Sequence, residues 1–489
     1  MQPEEQLIAQ RKQKLEELRN KKLNPYPYSF NKKNNSKEIL DNFKNLKHGE
    51  KTRTSVSIAG RIMTLRMMGK ASFAHLQDDL GKIQIYVREE DIGKEQYEIF
   101  KRLYDLGDIV GVEGVVFRTE RGEVSVWTKK ITLLSKGLRP LPEKFHGLKD
   151  PEIRHRQRYL DLIMNSEVKE VFIKRTKFLN YMREYLNEKG FTEVEIPTLQ
   201  NVYGGANAKP FITHLNALNV DLFLSISPEL YLKRLIVGGF EKVYTICKNF
   251  RNEGVDKFHN PEFTSMELYQ AYVDYNEMMK LTEELVAYIA KKIYNTTKVN
   301  YQDQLIDFKT PWPRITMFDA LKKFAKIDAE KISDKELITR CKGLRLDVHM
   351  NHRDEMIAKL FDELVQPKLI QPTFIIDYPL GTSPLTKVHR KNSKLVERFE
   401  AFIYGMEVAN AYSELNDPLD QRDRLKKQEE ERKFNEEAMV MDEDFVKALE
   451  YGMPPTGGLG IGVDRLIMFF TNAPTIREVI LFPMMKPEQ

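Results

Sequence analysis

The chain has 489 residues, 41% of them hydrophobic and 30% charged, which supplies a sizeable core and excludes a mainly disordered polymer. Its formal net charge of +5 is the small difference between 77 basic and 72 acidic residues, so any nucleic-acid surface has to be a local patch. The two cysteines, Cys247 and Cys341, lie far apart and outside any metal-ligand spacing; this argues against a disulfide framework and structural zinc, and reads both as small buried hydrophobes.

The first segment, MQPEEQLIAQRKQKLEELRNKKL, lacks the apolar stretch of a signal peptide. It carries Glu4, Glu5, Glu16 and Glu17, which transit peptides avoid. No run in the chain approaches the roughly 18 apolar residues that span a bilayer, so the expectation is a cytoplasmic protein with no membrane partner. Residues 3–21 read as an amphipathic helix with Ile8, Leu15 and Leu18 on one stripe and Arg11, Lys12, Lys14 and Arg19 around the rest. These cations suit either contact with nucleic-acid phosphates or a solvated face.

NPYPYSFNKKNN, residues 24–35, is rich in turn formers and ends that helix. Residues 55–136 then alternate as short strands: SVSIAGRIMTL, ASFAHLQD, KIQIYVR, DIVGVEGVVFRT and EVSVWTKKITLL, with a helical stretch EEDIGKEQYEIFKRLYDL between the third and fourth. Five strands with a helix in that place follow the order of the OB-fold, a small barrel often used on single-stranded nucleic acid. The proline-punctuated connector RPLPEKFHGLKDPEIRHRQRYLDL, residues 139–162, marks a boundary. Beyond it, helical patterns at 166–188, 276–293 and 354–365 alternate with strand-like runs such as DLFLSIS, KVYTIC and RLIMFF, which predicts a large α+β domain.

Three segments of that domain carry the chemistry. A helix closing at Gly190 leads into FTEVEIPTLQ, where a strand stops at Pro197; alone it would pass for a plain helix–strand connection. FRNEGVDKFHNPEFTSMELYQAY, residues 250–272, sets an arginine, a polar loop and a Pro-Glu-Phe strand in a pattern that packing does not explain. A guanidinium fork suits phosphate oxygens and an aromatic face suits a purine, so Arg251 is expected on an α-phosphate and Phe263 on adenine, with Glu253 and His259 flanking the nucleotide. In PPTGGLGIGVDRLIMFFTN, residues 454–472, glycines let the backbone approach a ligand before Arg465, a second phosphate clamp, opens an apolar helix.

Together these segments resemble motifs 1, 2 and 3 of the class II aminoacyl-tRNA synthetases, and their order after an OB-fold resembles subclass IIb, the lysyl, aspartyl and asparaginyl enzymes. The resemblance implies an N-terminal five-stranded OB-fold β-barrel for the anticodon and a large class II catalytic domain built on an antiparallel sheet flanked by helices. It divides the chain into an extension at 1–50, the barrel at 51–140, a linker at 141–165 and the catalytic domain at 166–489. Motif 1 implies a homodimer, and the motif 3 arginine, Arg465, implies a γ-phosphate contact. Glu400 and Glu407, in RFEAFIYGMEVANAYSELNDP, look like the carboxylates that hold Mg2+ with ATP in this family.

Substrate choice follows from pocket charge. A lysine substrate needs buried carboxylates for its two ammonium groups, whereas an aspartate substrate needs a cation. The candidates are acidic or neutral: Glu229 in SPELYLKRL, Glu267 and Tyr269 in SMELY, and Asn410, Tyr412 and Glu414 in NAYSEL. The match to lysyl-tRNA synthetases runs from about residue 55 to the C-terminus. It implies that Glu229 meets the α-amine, that Glu267, Tyr269 and Glu414 surround the ε-ammonium, and that Asn410 and the backbone near Gly205 complete the L-lysine site. Arg66, Phe73, Gln84 and Glu123 fall where these enzymes read the anticodon of tRNA(Lys) by stacking and hydrogen bonds. The chain departs from the pattern at Leu65, where some relatives have arginine, and at Ala411 and Tyr412, where many bacterial relatives have glycine and phenylalanine.

The implied reaction is in-line attack of the lysine carboxylate on ATP, then transfer from the adenylate to the tRNA terminal ribose, a step for which the sequence offers no protein base. Three rivals stand beside it: an aspartyl or asparaginyl enzyme, a protein-lysylating paralogue, and a silent tRNA-binding relative. The barrel argues against the second, and the full set of ATP-site residues against the third.

Overall fold

The computed structural model describes residues 4–142, 148–346, 352–433 and 437–488; positions 143–147 of the expected connector lie outside them. The chain forms two compact units, Met1–Gly147 and Leu148–Gln489.

In the first unit, helix α1 (Glu4–Asn20) precedes strands β1 (Lys51–Met68), β2 (Ala71–Gln77), β3 (Lys82–Arg88), β4 (Ile109–Arg118) and β5 (Val124–Ser135). They close as a barrel in the order β1-β2-β3-β5-β4, the OB-fold order expected from the strand pattern. Alternation sorts the side chains: Ala74, Leu76, Ile83, Ile85 and Val126 point into the barrel core, while Phe73, His75 and Gln84 stand on the outer face between them. The helical stretch after β3 is not continuous. Gly93, at φ +86°, breaks it into a short turn and α2 (Lys94–Leu103), because only glycine adopts that backbone without strain.

The basic residues of α1 are largely committed within the unit. Arg11 is buried and donates to the carbonyls of Gly137, Arg139 and Leu106 at 3.1, 3.0 and 3.0 Å. Lys14 pairs with Asp105 at 2.6 Å and Arg19 with Glu16 at 2.6 Å. The expected spread of free cations therefore reduces mainly to Lys12, and Arg11 is a docking residue.

The second unit is built on a nine-stranded sheet. Its helices include α3 (Ser166–Glu188), α4 (Glu229–Val237), α5 (Tyr275–Tyr294), α6 (Arg353–Leu364), α7 (Glu443–Glu450) and α8 (Val463–Thr471). Its strands are β6 (Thr192–Glu193), β7 (Lys242–Phe250), β8 (Glu262–Ala271), β9 (Arg314–Thr316), β10 (Thr373–Pro379), β11 (Asn392–Ile403), β12 (Met406–Ser413) and β13 (Thr456–Gly462), with Val388–His389 paired onto β11. The order is β9-β10-β11-β12-β13-β8-β7-β6. The centre is antiparallel, and the edge pairs β9–β10 and β7–β6 are parallel, so the sheet is mixed.

One face of this sheet is apolar: Met266 and Leu268 of β8, Phe399 and Ala401 of β11, Ala409 and Ala411 of β12, and Leu459 and Ile461 of β13 pack into one core with α3, α5 and α8. RLIMFF, expected among the strand-like runs, lies in α8. A short apolar run has no period of its own, and here it is a helix buried beneath the sheet. The motif 1 strand is only two residues long, and the cap before it holds, with Gly190 at φ +80° and Phe191 N–H donating to Leu186 O at 3.0 Å. Cys341 is buried as expected, whereas Cys247 is only half-buried; loss of solvent around its sulfur, with the Glu267 charge added, pushes its thiol up to about 12. Among the described residues, no helix is long and apolar enough to cross a membrane.

Candidate active site

The opposite face of the same four strands carries the polar side chains, because a period of two that buries one set must present the other. Register joins them into two rows. Glu400 of β11 is opposite Asn410 of β12, Asn410 is opposite Gly460 of β13, and Gly460 is opposite Glu267 of β8. Arg398, Tyr412, Gly458 and Tyr269 form the second row in the same way. The glycines between them make room: a Cβ on Gly458 would stand 2.0 Å from Glu414 Oε1 and 2.5 Å from Tyr269 Cε1. The glycine run of motif 3 is thus a trough in the floor of a cavity of about 450 Å³.

At one end of the cavity lie Glu229, Glu267, Tyr269, Tyr412 and Glu414, all bordering it. Glu229 opens α4, where Ser227 Oγ accepts from its backbone N–H at 3.2 Å and donates to Glu267 Oε1 at 3.1 Å. Glu267 also accepts from the Tyr269 hydroxyl at 3.3 Å. Burial, reinforced by the Glu229 charge, pushes Glu267 up to about 8, and burial pushes Glu414 up to about 8 against the pull of Lys233. Glu414 is 1% exposed, and its Oε1 has no hydrogen-bond donor among the described residues. Gly205, at φ +86°, brings its backbone to the wall beside Ser227, and a Cβ there would meet Ser227 Oγ at 2.9 Å.

The other end is lined by Arg251, Glu253, His259, Phe263, Glu400, Glu407 and Arg465. Arg251 leaves β7 with its guanidinium 5.2 Å from the Phe263 ring centre. Arg465, on the first turn of α8, donates to the Glu407 carbonyl at 2.7 Å and approaches Glu407 Oε2 at 3.4 Å and His259 Nε2 at 3.0 Å. Because Nε2 must accept from the guanidinium, His259 carries its proton on Nδ1, which faces Asp256 at 2.8 Å. Glu400 contacts Arg398 and accepts from the Tyr378 hydroxyl at 2.9 Å; burial, with the charges of Glu407 and Asp362 added, pushes it up to about 7 despite Arg398.

The structure thus gathers all the ATP, lysine and metal candidates around one cavity. It adds four groups that sequence reasoning missed. Arg398 donates to Asn410 Oδ1 at 3.1 Å and to Ser383 Oγ at 2.9 Å between the rings of Tyr378 and Tyr412. Its spacing of two from Glu400 was the available signal. Tyr378, Ser227 and Lys233 had none, since their partners are distant in sequence or ordinary in type.

The anticodon candidates cluster on the barrel. Phe73 stacks on Tyr86 with ring centres 4.6 Å apart and is paired in register with Arg66. Gln84 donates to Glu123 Oε2 at 2.8 Å, and His75 Nε2 lies 2.8 Å from Glu123 Oε1. Leu65 packs partly against the barrel core.

The family described as tRNA synthetases class II (D, K and N) matches residues 150–486, and an OB-fold nucleic acid binding domain matches residues 56–134. The chain is 54% identical to a lysine–tRNA ligase of Pelotomaculum thermopropionicum, over 99% of this chain and 96% of that one. It is 53% identical to one of Clostridium kluyveri, over 99% and 97%, and 52% identical to one of Thermotoga maritima, over 98% and 96%.

Proposed function

The chain belongs to the class II tRNA synthetases (D, K and N), and from that premise we propose how its side chains divide the work. Its activity is that of a lysine–tRNA ligase, an ATP-dependent enzyme. The observation that carries the substrate assignment is the buried acidic end of the cavity, above all Glu414 Oε1, a carboxylate oxygen without a donor among the described residues. An aspartate side chain placed there would meet like charge; an ammonium group would supply the missing donor.

In this reading Glu229 receives the α-ammonium, Glu267, Tyr269 and Glu414 surround the ε-ammonium, and Gly205 and Tyr412 shape the walls. Asn410 gives its oxygen to Arg398, which leaves its amide N–H groups for the substrate carboxylate. Arg251 holds the α-phosphate, Arg465 the γ-phosphate, Phe263 the adenine face, and Glu253 and His259 the flank of the nucleotide. A carboxylate oxygen of lysine attacks the α-phosphorus, the bond to pyrophosphate breaks on the opposite side, and lysyl-adenylate forms without a covalent enzyme intermediate. The protein contributes position and charge compensation.

Mg2+ fits the donor set of Glu400 and Glu407. Both offer hard carboxylate oxygens; burial raises the proton affinity of Glu400, and the charges of Glu407 and Asp362 add to it, negative charge that a divalent ion would offset. Held there by Glu400 and Glu407 together with ATP, it would supply positive charge to offset that of the leaving pyrophosphate.

The same reading makes 51–140 the anticodon-binding domain, with Arg66, Phe73, Gln84 and Glu123 on the bases of tRNA(Lys), 1–50 its extension, 141–165 a linker and 166–489 the catalytic domain. It also makes the enzyme a cytoplasmic homodimer; exposed Leu199, Ile212 and Val220 on the three-stranded sheet of Leu199–Gln200, Ile212–Leu215 and Val220–Leu224, with Leu218 in its hairpin turn, supply apolar surface for a partner, and sedimentation at micromolar concentration tests it.

The deciding experiment is ATP–pyrophosphate exchange with magnesium and lysine, aspartate or asparagine. Exchange with lysine alone is expected, abolished in Glu414→Gln while the fold is retained. Exchange with another amino acid, or full activity in the variant, refutes the pocket.

A further inference from the structure

Behind the acidic end of the cavity lies a cation that does not line it. Lys233 follows Glu229 by one helical turn on α4 and is 0% exposed. Its Nζ is 2.6 Å from Glu229 Oε1 and in contact with Glu414 Oε2. One ammonium group therefore ties the start of α4 to the residue following β12, joining two carboxylates 185 positions apart in sequence. The groups facing this cluster are Glu267 and Tyr269 from β8, Tyr412 from β12, Arg398 from β11 and the Phe445 ring of α7, 5.9 Å from Nζ. The neighbouring Arg234 is already paired with Asp442 at 2.7 Å.

We infer that Lys233 is a positioning and specificity-determining residue: a built-in counter-ion that fixes Glu229 and Glu414 and sets the charge of the pocket to match a diammonium substrate. The inference rests on the lysine-pocket reading above. With Arg398 balanced by its ion pair to Glu400, three carboxylates, Glu229, Glu267 and Glu414, less one ammonium, leave two negative charges when all are ionised, one for each ammonium group of lysine. Without an internal cation the third charge would have no partner in a buried site, and the cluster would hold a proton instead. Lys233 also contacts Glu229 Oε1 and Glu414 Oε2, which leaves Glu229 Oε2 and Glu414 Oε1 for a ligand; Glu414 Oε1 has neither an ion-pair nor a hydrogen-bond partner among the described residues. Its own pKa is raised by Glu229 and Glu414 in spite of burial, so it keeps its charge, whereas burial pushes Glu229 and Glu414 upward against the pull of Lys233.

The test compares wild type, Lys233→Met, Lys233→Arg and Glu414→Gln in pyrophosphate exchange between pH 6.5 and 8.5, with separate KM values for lysine and ATP. Loss of the counter-ion lifts the carboxylates above the values near 8 that burial already gives Glu267 and Glu414, so a bound ammonium has to displace more firmly held protons and is attracted more weakly. Lys233→Met is expected to raise the lysine KM at least about tenfold at pH 7, leave the ATP KM in place, and move upward the pH at which the lysine KM levels off. Lys233→Arg keeps that pH at its wild-type value. A wild-type lysine KM and pH profile in Lys233→Met overturns the inference, and so does an equal rise in both KM values. If Lys233→Met unfolds at pH 8 but not at pH 6, where the carboxylates are neutralised, the counter-ion role stands; unfolding at both overturns it. An unchanged lysine KM in Glu414→Gln defeats the pocket reading itself; a raised one there, with none in Lys233→Met, defeats only the role of Lys233.

Discussion

Gly458 shows how much of the chemistry depends on what a side chain would obstruct. Glu414 and Tyr269 reach over it, and the added methyl of Gly458→Ala would stand 2.0 Å from the Glu414 carboxylate, well inside contact distance. The carboxylate has to move, and a displacement near 1 Å at a reacting site costs about 100-fold in rate. Gly458→Ala is therefore expected to lose roughly two orders of magnitude in kcat/KM for lysine, with a smaller change in the ATP KM, and about 1–3 kcal/mol of stability from overpacking. Steady-state exchange and chemical denaturation measure the two effects; lysine kinetics within threefold of wild type would show that the trough is not needed. Sequence alone marked this glycine as a place for close approach but not what approaches, because Tyr269 and Glu414 meet it only through strand register.

Elements were legible where their period was long and clean. The helix at 166–188 and the five barrel strands follow directly from spacings of 3.6 and 2. RLIMFF was not, since a six-residue apolar run fits a buried strand and a buried helix equally well. Likewise Glu229 and Lys233 sit one turn apart in plain view, yet only burial and the arrival of Glu414 turn an ordinary helical pair into an internal charge cluster. The amphipathic helix α1 errs the other way: Arg11 reads as a surface cation and is in fact its anchor. Its three hydrogen bonds to backbone carbonyls join α1 to the end of the barrel. Replacing it with methionine keeps the apolar stem and removes the donors, which should cost about 1.5–3 kcal/mol locally. Faster amide exchange across Glu4–Asn20 is the expected reading; unchanged protection would show that Leu15 and Leu18 hold the helix unaided.

At the scale of the whole molecule, the chain has two separately cored units, and the proposed function assigns a different kind of recognition to each, which predicts that each can be disturbed alone. Phe73 stands on the outer face of the barrel, stacked on Tyr86, and its ring contributes little to the barrel core that Ala74 and Leu76 build from the same strand. The sequence showed its alternation, with His75 two residues on along the same strand, but not its neighbour Tyr86, which strand pairing brings beside it. If Phe73 stacks on an anticodon base, its loss removes about 1–3 kcal/mol of binding, or roughly 5- to 150-fold in the tRNA KM. All the residues proposed for lysine activation border one cavity of the second unit, so Phe73→Ala should leave pyrophosphate exchange at its wild-type rate while aminoacylation at low tRNA concentration falls by that factor. A parallel fall in both assays would mean that the substitution damages the fold. No change in either would mean that the bases are read from another part of the barrel face.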